Sequence, residues 1–212
     1  MTAPAIAFLV AAAVFAVGDW VARARTDARL EYLCKPATLV ALIGTALALT
    51  PAHDAGARRS WFVVALVCSL VGDVFLMLPK DMFVAGLAAF LVGHVCYVAG
   101  FWAHGPGAFA FAIWAVAVAV VVTPVARRVL GALRGRRELA LPVASYIVVI
   151  SVMLATALAT GNVVAGLGAL LFVSSDTMIA WNRFVRPFRA ADLGIMITYH
   201  LGQAGLVLSL LH

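Results

Sequence analysis

The stretch SLVGDVFLMLPKDMFVAGLAAFLVGHVCY, residues 69–97, decides how this chain folds. It contains two apolar segments joined by a short corner at residues 79–81, and each segment carries one ionisable side chain, Asp73 or His94. A carboxylate at the centre of a bilayer costs roughly 2.5–3.5 kcal/mol on insertion scales, so such residues are kept there for a structural or functional reason. The two segments therefore indicate a pair of membrane spans that contribute to a site.

The composition of the whole chain is that of a membrane protein. Of the 212 residues, 65% are hydrophobic and 11% are charged, and the mean hydropathy is +1.09, whereas soluble domains are roughly 45–50% apolar and 25% charged. The net charge of +6 comes from basic clusters between apolar runs, which is typical of orientation in a membrane rather than of nucleic-acid binding. Cys34, Cys68 and Cys96 lack metal-site spacing and are expected to be free thiols.

Apolar runs near 20 residues long are sufficient to cross a bilayer as helices, and eight such runs follow one another in this chain. We predict an all-α, polytopic transmembrane bundle that forms one domain over residues 1–212, with spans at 4–21, 35–50, 60–78, 82–103, 108–126, 139–160, 163–181 and 191–211. No basic residue precedes the first run, so we expect a retained span rather than a cleavable signal peptide. Lys35-Pro36 opens the second run, and proline is well tolerated in a first helical turn.

The basic residues predict the orientation of the bundle. Thirteen of the 15 Lys and Arg residues lie in the loops after spans one, three, five and seven, and only Arg58 and Arg59 lie on the other side. Short cytoplasmic loops carry the excess of positive charge in membrane proteins. We therefore predict that both termini lie on the non-cytoplasmic side. The face that carries the thirteen basic residues is called the basic face below.

Two aspartates share one depth in this topology. Spans three and seven run in the same direction, and Asp73 and Asp176 lie roughly 7–10 Å from the basic face at 1.5 Å per residue. Four further polar side chains lie at the start of a span or inside one: Lys35, His94, Tyr199 and Gln203. Polar groups within a membrane normally face the bundle interior or a water-filled cavity. We therefore expect a polar funnel that opens toward the basic face, with Asp73 and Asp176 at its waist.

Other interpretations of these residues stay open. Asp73 or Asp176 alone could be a structural carboxylate, and Asp19, at the inner end of the first span, is expected to reach water. His94 and His200 could supply zinc ligands together with the two aspartates, although no His-Glu-x-x-His pair is present. No Gly-x-Ser-x-Gly turn supports a serine hydrolase. A transporter or lipid-binding protein that uses the funnel as a passage, and a metal-dependent lipid hydrolase, are the alternatives.

Four blocks of the sequence can be compared with known membrane families. They are LVGDVFLM (70–77), MFVAGLAAFLVGHVCYVAGF (82–101), GALLFVSSDTMIAWNRF (168–184) and YHLGQ (199–203), and Lys35-Pro36 precedes them. In their order and spacing they resemble the signature blocks of the lysoplasmalogenase (YhhN-like) membrane family. The resemblance extends from about residue 35 to residue 203, and spans five and six contribute little to it.

This resemblance implies an eight-span enzyme that hydrolyses the vinyl ether bond of lysoplasmalogens to a fatty aldehyde and glycerophosphocholine or glycerophosphoethanolamine. It implies that the intramembrane aspartates of the family correspond to Asp73 and Asp176. Its other characteristic polar positions correspond to Lys35, His94, Tyr97 and Gln203. Vinyl ether hydrolysis passes through an oxocarbenium ion, and two carboxyl groups in unlike surroundings can supply the acid and the base for it.

Roles for individual residues follow from this chemistry. The predicted catalytic residues are Asp176 as the acid, Asp73 as the base, and His94 and Tyr199, which would orient groups or water. The predicted substrate-binding residues are Lys35, Tyr97, Gln203 and Arg183, with Lys35 and Arg183 as candidates for the lipid phosphate. No Gly-x-Gly-x-x-Gly or P-loop motif is present, so we expect no organic cofactor, and because no ligand pair has metal-site spacing we expect no metal. The expected partners are a lysophospholipid substrate and membrane lipids but no nucleic acid, and the expected location is the cell membrane.

Overall fold

The computed structural model describes residues 1–50, 56–103 and 105–211, which fold into eight long α-helices. They are α1 (Ala3–Arg25), α2 (Ala28–Ala48), α3 (Gly56–Met77), α4 (Phe83–Trp102), α5 (Ala108–Ala132), α6 (Arg137–Ala159), α7 (Val163–Ala180) and α8 (Ala191–Leu208). A π-helical turn, Trp181–Val185, extends α7, and a 3₁₀ turn, Ser209–Leu211, extends α8. All eight helices are long and apolar enough to cross a membrane, α7 together with its π-helical turn. The predicted eight-span, all-α fold is thereby confirmed, while the sidedness of the termini stays a prediction.

Short polar caps begin several of the helices. The side chain of Thr2 accepts a hydrogen bond from the N–H of Ala5 at the start of α1, and Asn162 accepts one from Ala165 at the start of α7. Asp27 caps α2 in the same way. Such side chains satisfy N–H groups that the first helical turn leaves unpaired. The loops between these ends are short, so consecutive helices run antiparallel.

The second helix begins earlier than the sequence pattern indicates. Because Asp27 caps it, α2 starts at Ala28, seven residues before the predicted start at residue 35. Lys35 and Pro36 therefore lie two turns inside the helix rather than in its first turn, which corrects the sequence-based interpretation. The fifth helix likewise continues to Ala132, six residues beyond its predicted end.

Glycines allow two helix pairs to approach closely. A Cβ atom added to Gly72 of α3 would lie 3.2 Å from the carbonyl oxygen of Gly86 in α4. A Cβ atom added to Gly168 of α7 would lie 2.7 Å from the backbone nitrogen of Leu206 in α8. Small residues at helix contacts let backbones pack against each other in membranes. These contacts hold α3 against α4 and α7 against α8, so each of the helices that carry the two aspartates has a closely packed neighbour.

Helix α5 lies at the periphery. It packs mainly against α6 and the π-helical turn, and it exposes large apolar side chains such as Phe109, Val120 and Val121. Exposed apolar side chains are expected on a surface that faces lipid. A cavity remains on the inner side of α5, between it and α4, α6 and α7.

Candidate active site

The first polar network lies around Asp73 and is called the Asp73 network. The ammonium group of Lys35 lies 3.0 Å from Asp73 Oδ1, and the hydroxyl of Tyr199 donates to Oδ2 at 2.7 Å. Gln203 Nε2 donates to the Tyr199 oxygen at 3.4 Å, and Tyr97 donates to Gln203 Oε1 at 2.5 Å. All five side chains are buried. Both carboxylate oxygens of Asp73 are therefore partnered, one by a cation and one by a phenol.

The second polar network consists of Asp176, Tyr146 and His94 and is called the Asp176 network. The hydroxyl of Tyr146 donates a short hydrogen bond to Asp176 Oδ2. His94 Nε2 lies 2.8 Å from the Tyr146 oxygen and 3.5 Å from Asp176 Oδ2. If Tyr146 gives its single proton to Asp176, His94 Nε2 must be the donor toward the Tyr146 oxygen. A protonated Asp176 reverses both bonds, so the three groups can carry a proton in either direction.

An aromatic partition separates the two networks. The ring of Phe172 makes an edge contact with His94, at 4.8 Å between ring centroids, and with Tyr199, at 5.3 Å. Phe90 also makes edge contacts with Phe172 and Tyr199. The polar residues expected in a single funnel are therefore arranged as two hydrogen-bonded networks, and Phe172 contacts His94 of one and Tyr199 of the other.

The cavity beside α5 reaches only one of these networks. It has a volume of about 700 Å³, within the roughly 300–1,000 Å³ range of ligand pockets. Its wall is almost entirely apolar, with side chains such as Leu87, Val122 and Ile150. Asp176 and Tyr146 are among its few polar wall residues, whereas Asp73 is not part of the wall. The carboxyl group of Asp176 is thus the acidic group that a molecule in this cavity meets.

Arg183 lies apart from both networks, at the basic face. Its Nη2 donates to Asp81 Oδ2 at 2.7 Å, and its guanidinium carbon lies 4.2 Å from the ring centroid of Phe83. Asp81 also accepts a hydrogen bond from the N–H of Phe83. The hydrogen bond from Arg183, with this second one, holds the pKa of Asp81 below its usual range. The carboxylate therefore stays ionised at neutral pH.

One residue at the inner end of α1 differs from expectation, and the next one contacts a neighbouring helix. Asp19 was expected to reach water, but it is 0% exposed, because α1 packs its face carrying Asp19 against α2. Its carboxylate oxygens have no hydrogen-bond partner among the described residues. Trp20 donates from Nε1 to His200 Nδ1 at 3.1 Å, so His200 is held by a neighbouring helix. Within the described residues, no group of three or more His, Cys, Asp or Glu side chains is arranged to hold a metal ion.

The sequence analysis missed Tyr146, a member of the Asp176 network. Tyr146 lies in the sixth span, where the family blocks contribute little, and its only signal was a tyrosine within an otherwise apolar run. Tyr97 donates to Gln203, and the side chain that bonds His94 is Tyr146. Partners 52 and 106 residues apart cannot be read from local spacing.

Comparison with known proteins identifies the family of the chain. Residues 30–210 match the YhhN family. Lysoplasmalogenase TMEM86B of Homo sapiens is 39% identical over 152 residues, which cover 69% of this chain and 62% of the human protein. Lysoplasmalogenase of Mycobacterium tuberculosis (strain CDC 1551 / Oshkosh) is 32% identical over 174 residues, or 79% of this chain and 66% of that protein. The chain thus spans less than two thirds of the length of these relatives. No solved structure gives a significant match.

Proposed function

The chain belongs to the YhhN family, and from this premise we propose that it is a multi-pass hydrolase of the cell membrane that cleaves the vinyl ether bond of lysoplasmalogens. The products are a fatty aldehyde and glycerophosphocholine or glycerophosphoethanolamine. One observation carries the proposal, which is the position of the Asp176 carboxyl group in the wall of an apolar cavity of about 700 Å³. The apolar wall suits a hydrocarbon tail, and the carboxyl group suits the proton transfer that begins vinyl ether hydrolysis.

In the proposed reaction, Asp176 donates a proton in the first step and regains one when water adds. The protonated carboxyl group gives its proton to the vinyl carbon that is not bonded to oxygen, and the π-electron pair forms the new C–H bond. The resulting oxocarbenium ion lies beside the Asp176 carboxylate, which stabilises the positive charge, as in glycosidases. Water adds to this cation and gives its proton back to the carboxylate. The hemiacetal then breaks its C–O bond, and its hydroxyl proton passes to the glycerol oxygen.

Tyr146 and His94 support this acid. The Tyr146 hydroxyl fixes the orientation of Asp176, and His94 contacts the same hydroxyl at 2.8 Å. A carboxyl group held by a phenol and an imidazole can exchange its proton without a change of rotamer. Because the three side chains lie at the wall of one cavity or directly behind it, proton transfer and tail binding occur in the same place.

Asp73 has a different part in this proposal. A base must accept a proton from water, but both oxygens of Asp73 are bound, one by Lys35 and one by Tyr199. We therefore assign Asp73 as a positioning residue. It holds Tyr199, whose ring packs against Phe172, and Phe172 in turn packs against His94. Lys35, Gln203 and Tyr97 then act by keeping the Asp73 network in place.

The experiment is aldehyde release from a lysoplasmalogen by the purified protein in detergent, with and without a chelator. Asp176→Asn removes the acid and is expected to lower kcat by about 10²–10⁴-fold, the usual contribution of general acid–base catalysis. Tyr146→Phe is expected to lower kcat by a smaller factor and to shift the pH–rate profile. Asp192→Asn, which changes an exposed carboxylate in the first turn of α8, is the matched control and should behave as the wild type.

Each other outcome has a defined meaning. Full activity of Asp176→Asn would refute the assigned acid. Loss of wild-type activity with the chelator would favour a metal-dependent hydrolase. A folded wild type that forms no aldehyde would exclude the proposed substrate, and accumulation of a lipid by sealed vesicles would then support a transporter.

A further inference from the structure

A second depression opens at the basic face, next to the apolar cavity. Its volume is about 430 Å³, and it lies between the α3–α4 corner, the start of α4, the α5–α6 loop and the π-helical turn. Three cationic side chains from three separate segments line it: Lys80, Arg136 and Arg183. We propose that this depression, called the vestibule, binds the phosphate of a monoacyl glycerophospholipid whose tail occupies the apolar cavity. The inference rests on the proposed function, because it assigns the headgroup site of the same substrate.

The charges of the vestibule suit a phosphate. Three cations and one carboxylate, Asp81, leave a surplus of positive charge. The guanidinium of Arg183 has five N–H donors in a planar fork, and its bond to Asp81 uses one end of that fork. Arginine and phosphate form charge-assisted, often bidentate hydrogen bonds. The ion pair with Asp81 orients the guanidinium while donors remain for an oxyanion.

An aromatic pair joins the vestibule to the apolar cavity. Phe83 and Phe184 line both spaces, and their rings meet edge to face at 5.5 Å between centroids. The guanidinium of Arg183 lies over the Phe83 ring on the vestibule side. One ligand can therefore place its polar half in the vestibule and its apolar half in the apolar cavity, on the two sides of this aromatic pair.

The distance between the two sites matches one lipid. Arg183 follows Asp176 by seven residues, or about 10 Å along a helix axis at 1.5 Å per residue. The seven bonds from the vinyl carbon that Asp176 protonates to the phosphorus of a glycerophospholipid cover roughly 9 Å at bond lengths near 1.5 Å. The π-helical turn widens the helix at this point and directs Arg183 and Phe184 toward the vestibule, and such turns are frequent at functional sites.

Lys35 does not compete for this role. Its side chain is 5% exposed and forms an internal ion pair with Asp73, and it does not line the vestibule. Arg134 lies two residues from Arg136 in the same loop, but it is exposed outside the vestibule. If the basic residues served only to orient the chain in the membrane, Arg134 and Arg136 would be equivalent. They are not equivalent, because Arg136 lines the vestibule and Arg134 does not.

The test compares two substrates that differ only in the phosphoethanolamine headgroup. Rates are measured with an alkenyl-lysophosphatidylethanolamine and with the alkenylglycerol that lacks the headgroup. Arg136→Gln/Arg183→Gln is expected to raise KM for the phospholipid about 10- to 100-fold, with kcat little changed and KM for the alkenylglycerol unaltered. Arg134→Gln, the matched control, should alter neither KM. Arg136→Gln alone, in an exposed loop, provides a variant that folds normally and should raise the phospholipid KM by a smaller factor.

A binding measurement separates this inference from the proposed function. The saturated 1-O-alkyl lysophospholipid cannot be hydrolysed at a vinyl ether, so its affinity for the wild type and the double variant is measured without turnover. Weaker binding by the variant supports the vestibule even if the wild type forms no aldehyde, in which case only the proposed function fails. Equal binding, or an equal rise in KM for both substrates, overturns the inference. Binding of millimolar inorganic phosphate that leaves the affinity for the lipid unchanged would also overturn it, by assigning the site to free phosphate.

Discussion

Lys35→Met leaves the Asp73 carboxylate buried without its cation. The two side chains are only 5% and 2% exposed, so water screens little of their interaction. Breaking a buried ion pair by removing one partner typically costs about 3–5 kcal/mol, because the remaining charge is uncompensated. At about 2–4 °C per kcal/mol for a chain of this size, the melting temperature should fall by roughly 6–20 °C.

The double variant Lys35→Met/Asp73→Asn removes both charges together. Replacing a whole buried pair is often close to neutral, and the new amide oxygen can still accept the Tyr199 hydroxyl. Thermal unfolding in detergent should therefore show most of the lost stability restored. Asp81→Asn, which breaks an exposed ion pair, is the control and should change the melting temperature little, since exposed pairs contribute little.

Activity of the double variant then tests the role of Asp73. If Asp73 positions the site through Tyr199, the stable double variant should keep kcat within about 10-fold of the wild-type value. Its kcat should then be well above that of Asp176→Asn. A double variant that is stable but as inactive as Asp176→Asn would refute this reasoning and make Asp73 a catalytic base. A double variant no more stable than Lys35→Met would refute the ion-pair argument itself.

Two further variants, each with its own control, test the cavity and the helix contacts. Val122→Trp fills the apolar cavity and should reduce turnover of long-chain substrates more than turnover of short-chain ones. The control, Val120→Trp, lies on the exposed face of α5 and should affect both chain lengths equally. Equal effects of the two variants would contradict the assignment of the cavity to the lipid tail. Gly168→Ala places a Cβ atom 2.7 Å from the Leu206 backbone nitrogen and should lower stability by about 1–3 kcal/mol in thermal unfolding, while Gly131→Ala, with no atom within 4 Å of the new Cβ, should not.

The sequence by itself determined the architecture of this protein. A backbone in lipid must satisfy its hydrogen bonds within each span, so runs of apolar residues near 20 long become helices almost regardless of what surrounds them. Asp73, Asp176 and His94 could be selected for the same reason, since an ionisable side chain in such a run is costly. The start of α2 was placed wrongly because the span was delimited by hydropathy, whereas the helix begins at the Asp27 cap in the polar loop before it.

Only the tertiary structure decided how these side chains are combined. Depth along a span can be counted from the sequence, but the direction of a side chain depends on which helices are neighbours and on how they are rotated. That packing bound Asp73 to Lys35 and Tyr199, gave Asp176 the unexpected partner Tyr146, and placed Phe172 between the two networks. It also placed Asp176, but not Asp73, in the wall of the apolar cavity. Contacts between residues 30 to 126 positions apart follow from close packing of whole helix faces, which no single span encodes.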